Sequence, residues 1–93
     1  MNDVEASIGA IIFSLATSAA VHFGDVPDSL SGEQQPPNLQ AAKHMIDLLA
    51  VLEDKTRGNL TPEEAQLLKQ VLYELRLRFV QAATNEAKPQ IIP

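Results

Sequence analysis

The sequence predicts an all-α protein, and three observations support this prediction. Apolar residues recur at intervals of three and four along three long segments, which is the spacing of one face of an α-helix. The apolar residues are mainly Leu, Ile, Val and Ala, a composition that suits helix packing. No β-hairpin signal and no internal repeat interrupts this pattern. We therefore expect a single helical domain over residues 1–84.

Three helices are expected, at about residues 3–23, 38–57 and 62–83. The first two are separated by a loop over residues 24–37, which is acidic and rich in Gly, Pro and Ser. Asn38 follows two prolines at the end of this loop and is expected to be the N-cap of the second helix. Residues 85–93 lack a helical period and are expected to form a flexible tail.

The stretch KTRGNLTPEE, residues 55–64, predicts a tight corner between the second and third helices. Gly58 is expected to take the left-handed conformation just after the second helix. Thr61 is expected to be an N-cap, with Pro62 at the first helical position and Glu64 completing a capping box. Only about three or four residues would then join the two helices, so they should form an antiparallel hairpin.

Helix one is unusual because no Asp, Glu, Lys or Arg occurs between Ala6 and Gly24. A helix that is apolar or small almost all round needs burial on most sides, and two amphipathic helices of the same chain cannot enclose it. A chain of 93 residues supplies only a modest core, and without cysteine it has no disulfide to supplement that core. We therefore expect self-association into an oligomeric helical bundle, with helix one near the interface.

The candidate oligomer interface combines residues of helix one with a second apolar strip on helix three. It consists of Phe13, Leu15, Ala16, Ala19, Tyr73, Leu77 and Val80. The strip on helix three lies outside the face that we expect to pack inside the hairpin, so it needs a further contact.

Several function classes receive no support from the sequence. The net charge of −5 argues against nucleic acid as a partner, because phosphate binding needs a basic surface. No catalytic, phosphate-binding, cofactor-binding or metal-binding motif is present. We therefore expect a non-catalytic, cytoplasmic interaction or assembly protein without a cofactor, which binds itself and an unidentified protein partner.

Two alternative functions remain open. Helix one is uncharged over about 19 residues, a borderline length for a membrane span, so association with a membrane surface is one alternative. Ser, Thr, Gly and His within the helix and the absence of a basic flank argue against a span, and Asp3 and Glu5 replace the basic start of a signal peptide. The other alternative is an enzyme or ligand-binding protein that uses His22 with loop acids such as Asp25.

Three stretches resemble an uncharacterised bacterial family, the domain of unknown function DUF1844. They are LATSAAVHFGDVPD, HMIDLLAVLEDKTRGNLTPEE and VLYELRLRF. The resemblance covers about residues 7–81 and is specific through the combination of IDLL, KTRGNLTPEE and YELR. It implies a small helical protein and assigns no activity, cofactor or catalytic residue.

Overall fold

A computed structural model describes residues 6–28, 31–34 and 36–87 of the chain. These residues form three α-helices and no β-strand: α1 (Ile8–Phe23), α2 (Leu39–Lys55) and α3 (Pro62–Ala87). The prediction of an all-α protein with three helices is therefore confirmed.

The helices run up, down and up. Glu53 near the end of α2 and Lys69 near the start of α3 line one cleft, while Leu39 at the start of α2 and Ala82 near the end of α3 line another. The hairpin of α2 and α3 is therefore antiparallel, as predicted. The start of α2 also meets the end of α1, where the backbone N–H of Asn38 donates to the carbonyl oxygen of His22 at 2.7 Å.

The start of α1 differs from the prediction, because the helix begins at Ile8 rather than near residue 3. Ser7 is the N-cap: its backbone is extended, and its hydroxyl accepts from the N–H of Ala10 at 3.1 Å. Such a side chain satisfies one of the amides that a helix start leaves unpaired, and this fixes where α1 begins. Residues 3–5 of the predicted helix lie outside the described residues.

The end of α1 is closed by a Schellman motif. Gly24 has a φ of 81°, its N–H donates to the carbonyl of Val21, and the N–H of Asp25 donates to the carbonyl of Ala20. The predicted end of the helix at residue 23 is confirmed. The motif also holds the backbone N–H of Asp25 against the last turn of α1.

The start of α2 agrees with the prediction, whereas its end does not. The Asn38 side chain accepts from the N–H of Ala41 at 3.1 Å, as an N-cap does. The helix ends at Lys55, two residues earlier than expected, because Thr56 takes a non-helical conformation while its hydroxyl donates to the Leu52 carbonyl. Residues 56–61 therefore form a six-residue connection, longer than the three or four residues expected.

The corner contains the predicted turn chemistry. Gly58 has a φ of 87°, in the left-handed region. The capping box is present in both directions: the N–H of Glu64 donates to the Thr61 hydroxyl at 3.1 Å, and the N–H of Thr61 donates to the Glu64 carboxylate at 2.9 Å. These bonds set the first turn of α3.

The end of α3 also lies beyond its predicted position, because the helix continues past residue 83 to Ala87. No Gly or Pro occurs from residue 84 to residue 87, and the next proline is Pro89. Nothing in that segment therefore opposes the helical conformation. The tail predicted from residue 85 thus begins no earlier than residue 88, and residues 88–93 lie outside the described residues.

The core is small and wholly apolar. Its buried side chains come from all three helices: Ile12, Ala19, Phe23, Ala42, Ile46, Leu49, Leu68 and Leu72. No polar or charged side chain of the described residues is buried. A core of this size stabilises a short chain only modestly.

Candidate functional site

Large apolar side chains remain exposed on every helix. Nine of them, all among the described residues, are at least 36% exposed: Ile11, Phe13, Val26, Leu48, Val51, Leu67, Tyr73, Leu77 and Val80. Single exposed apolar residues are ordinary, so the informative feature is how these residues are grouped. Two groups stand out, one on α1 and one on α3.

The first group lies on the uncharged, exposed side of α1, where Ile11 and Phe13 form opposite edges about 160° apart. We define the α1 surface as Ile11, Phe13, Ser14 and Thr17, all of which are exposed. Phe13 is 72% exposed, the highest value among the large apolar residues of the described chain. Part of this face borders a shallow open groove of about 540 Å³ that begins at Ala6. The α1 surface therefore presents an aromatic ring on a helix face without charge.

The second group is a stripe along α3. We define the α3 stripe as Tyr73, Leu77 and Val80, which are 67%, 47% and 58% exposed. At about 100° per residue, these positions point roughly 130° away from the buried side chains of Leu68 and Leu72. The α3 stripe therefore faces away from α1 and α2, and no element of the described chain covers it.

The residues of the predicted interface differ in exposure. Phe13 and the three residues of the α3 stripe are exposed, whereas Leu15 and Ala16 are half-buried. Ala19 has no exposed surface because it packs within the core of its own chain. We therefore remove Ala19 from the candidate interface. The α1 and α3 groups also lie on different faces, so they form two surfaces rather than the one expected.

A side-chain cluster that the sequence did not predict ties α3 to the end of α1. Arg78 donates from Nε to one oxygen of the Asp25 carboxylate at 2.9 Å and from Nη2 to the other at 2.7 Å. Its guanidinium also lies over the Phe23 ring, 5.0 Å from the centroid. Arg78 holds the pKa of Asp25 below its usual value, mainly through the hydrogen bond, and Asp25 raises the pKa of Arg78 for the same reason. We call this cluster of Arg78, Asp25 and Phe23 the Arg78 tie. Within it, Arg78 stabilises the ionised form of the Asp25 carboxylate.

The partner of Arg78 differs from the one that helical spacing indicates. Glu74 lies four residues before it, which favours a pair within α3. Instead, Glu74 accepts from the side chain of Gln70 at 3.2 Å, and Arg78 reaches across 53 residues to Asp25. Local spacing cannot reveal a partner so distant in sequence, and the charged character of both residues was the only available signal.

The comparisons with known proteins identify the family. The family model of the Domain of unknown function (DUF1844) matches residues 5–81. The chain belongs to the DUF1844 family. The resemblance read from the sequence is thereby confirmed, and the match includes the α1 surface, the α3 stripe and the Arg78 tie. No curated protein and no solved structure matches the chain.

The histidine site considered as an alternative is only partly assembled in this DUF1844 protein. His22 and Asp28 line an open cleft of about 660 Å³ together with Pro36 and Pro37. Asp25 does not line it, because its carboxylate is turned toward Arg78. The structure therefore brings His22 together with the loop acid Asp28, but not with Asp25.

The described part of this DUF1844 protein provides no support for a metal site or a membrane span. His44 is exposed on α2, near the ion pair that Lys43 forms with Asp47 at 3.0 Å. No three His, Cys, Asp or Glu side chains among the described residues are arranged to hold a metal ion. Within that same part of the chain, no helix has the length and apolarity needed to cross a membrane.

Proposed function

We propose that this DUF1844 protein is a non-catalytic, cytoplasmic assembly protein that self-associates through its α1 surface. The observation that carries the proposal is Phe13, which is 72% exposed on a helix without charged residues. Burying a Phe side chain contributes about 1.5–3 kcal/mol. A two-fold contact buries the same residue of both copies, so this contribution occurs twice.

The rest of the α1 surface supports the same proposal, because burying it removes no charge from water. Ser14 and Thr17 are small, and they allow two helix backbones to approach closely. Hydroxyl groups on a helix can hydrogen-bond to the carbonyl four residues earlier, so they need no partner across the interface. The desolvation cost that opposes burial of charged surfaces is therefore absent here.

Light scattering on a sizing column, over a range of chain concentrations, tests the proposal. The wild-type mass should be a multiple of 10.1 kDa. Phe13→Ser should raise the dissociation constant by about 100-fold or more, since two rings per contact lose their burial. Thr17→Glu should have a similar effect, because it places two like charges in the contact.

The matched control for Thr17→Glu is His44→Glu, which adds the same charge at an exposed helical position of α2. This control should keep the wild-type mass, and all variants should keep the wild-type helical circular dichroism. A wild-type protein that remains monomeric at every concentration refutes the proposal. An oligomer mass and a dissociation constant that are unchanged from wild type in both α1 variants refute the assignment of this interface to α1.

The exposed Phe13 ring also supports one alternative, binding to a membrane surface. Flotation with liposomes distinguishes the two functions, because a soluble oligomer should stay at the bottom of the gradient. A monomeric wild-type protein that floats with vesicles, together with a Phe13→Ser variant that does not, would replace self-association by membrane binding.

A further inference from the structure

We propose that the α3 stripe is a second interface, in which α3 of one copy pairs in parallel with α3 of a second copy. The occupant of the stripe is thus another copy of this chain. The inference goes beyond the proposed α1 contact, because the α3 stripe points away from the core and occupies a different face of the molecule. It is argued from the residues of α3 and not from those of α1.

The stripe is part of a longer uncharged seam. Tyr73, Leu77 and Val80 are separated by four and then three residues, which is the spacing of the seam positions in a helical coiled coil. Extending this spacing in both directions adds exposed, uncharged residues. The uncharged seam is Gln66, Gln70, Tyr73, Leu77, Val80 and Thr84, and the next position of this spacing toward the start of α3 is Glu63. It runs roughly 27 Å along α3. Its apolar centre is bounded at both ends by polar, uncharged residues.

Charged residues flank the seam asymmetrically. Lys69 and Arg76 lie along one side of it, whereas Glu74 and Gln81 lie along the other, and all four are exposed. Neither Lys69 nor Arg76 forms an ion pair within the described part of the chain. Two cations therefore stand beside an apolar seam without a counter-charge from their own molecule.

This asymmetry decides the orientation of the second copy. In a parallel pair of helices, the residue on one flank faces the residue five positions later on the opposite flank of the other helix. Lys69 of one copy then faces Glu74 of the second copy, and the two-fold symmetry provides this pair twice. Arg76 faces Gln81 in the same way. In an antiparallel pair, the flank with Lys69 and Arg76 would face its own like charges, which is unfavourable.

Site-specific cross-linking tests the orientation directly, because the chain has no cysteine of its own. In a parallel pair each seam position lies opposite itself, within the Cα separation of about 4.4–6.8 Å that a disulfide spans. Leu77→Cys and Val80→Cys should therefore each form a disulfide-linked dimer under mild oxidation. Both positions are exposed, so the substitutions leave the core intact. His44→Cys, at an exposed position of α2, is the matched control and should stay unlinked.

A charge exchange provides the second test. Lys69→Glu should weaken association about threefold or more, as expected for loss of two exposed ion pairs and the introduction of repulsion. The double variant Lys69→Glu, Glu74→Lys should restore association to within about twofold of wild type. Light scattering measures both variants, and the double variant Gln40→Glu, His44→Glu on α2 is the control for the same change of −2 in net charge.

The outcomes also separate this proposal from the α1 contact. Disulfide-linked dimers of Leu77→Cys that persist when Phe13→Ser is added establish the α3 pairing by itself. Linkage that occurs only when the Leu77→Cys and Val80→Cys proteins are mixed indicates antiparallel pairing and overturns the proposal. Linkage through Thr17→Cys alone also overturns it, while leaving the α1 contact in place. A monomeric wild type without any linkage refutes both.

Discussion

Replacing Arg78 by Ala should destabilise the folded chain, and the geometry of the Arg78 tie gives the magnitude. The two side chains of the ion pair are 34% and 41% exposed, so water partly screens it. A bidentate pair at this exposure contributes about 1 kcal/mol, the upper end for surface pairs. The contact with the Phe23 ring adds about 0.5–1 kcal/mol. Arg78→Ala should therefore cost about 1.5–2 kcal/mol.

Thermal unfolding followed by circular dichroism at equal chain concentration measures this cost. For a chain of this size, about 1.5–2 kcal/mol lowers the melting temperature by roughly 6–16 °C. Arg78→Lys keeps the charge but loses the planar fork and the stacked ring contact, so it should recover less than half of the loss. The matched control is Arg57→Ala, whose pair with Asp54 is 3.7 Å long with side chains 73% and 69% exposed. That substitution should change stability by less than about 0.5 kcal/mol.

The pH dependence separates the ion pair from simple packing. Arg78 lowers the pKa of Asp25 in the folded chain below the ordinary value of 3.8. A depressed folded pKa contributes stability that is fully present above the unfolded pKa and is lost as the pH falls through the folded pKa. The gap between wild type and Arg78→Ala should therefore be full near pH 7 and narrow below pH 3.8. An Arg78→Ala cost no larger than that of Arg57→Ala, or a gap that is undiminished in acid, would refute this reasoning.

Three further predictions concern the hairpin corner and the core, and reversible urea unfolding measures each of them. Thr61→Ala removes one half of the capping box and should cost about 1 kcal/mol, whereas Glu64→Gln keeps a hydrogen-bonding side chain and should cost less. Gly58→Ala should cost about 1 kcal/mol from its positive φ alone, since no atom lies within 4 Å of the added Cβ, whereas Gly9→Ala within α1 should stabilise. Leu72→Ala should cost about 2–5 kcal/mol because Leu72 is only 1% exposed. An unchanged free energy of unfolding in Thr61→Ala or in Leu72→Ala would contradict the capping or the core argument, respectively. A Gly58→Ala variant that is more stable than wild type would contradict the argument from its positive φ.

The fold was predictable where local chemistry determines it. Asn38 and the Thr61–Glu64 pair satisfy backbone amides within three residues of themselves, so their roles can be read directly from the sequence. Ser7 has the same chemistry and could have been found by the same reasoning. The end of α2 was less predictable, because Thr56 and Gly58 offer competing ways to stop a helix within three residues.

The candidate surfaces were predictable only in part. Helical periodicity separated the α3 stripe from the buried side of α3, since that requires only the angle between residues of one helix. Whether Phe13 or Ala19 of α1 is exposed depends on how the three helices pack. The pattern of residues within α1 alone does not show which side of it faces the other two helices. The Arg78 tie joins residues 53 positions apart, so its existence depended on the same packing.

The hydrogen bond between Asn38 and His22 has a consequence for engineering this chain. It joins the two ends of the loop over residues 24–37, so the loop leaves and re-enters the helical body at one point. Loops closed at their base accept added length at low cost, since doubling a flexible loop costs only about 0.6 kcal/mol. A fluorescent or affinity peptide placed after Ser31, which is exposed, would extend into solvent without displacing any helix. Such a labelled chain would report on assembly while its termini, α1 surface and α3 stripe stay unmodified.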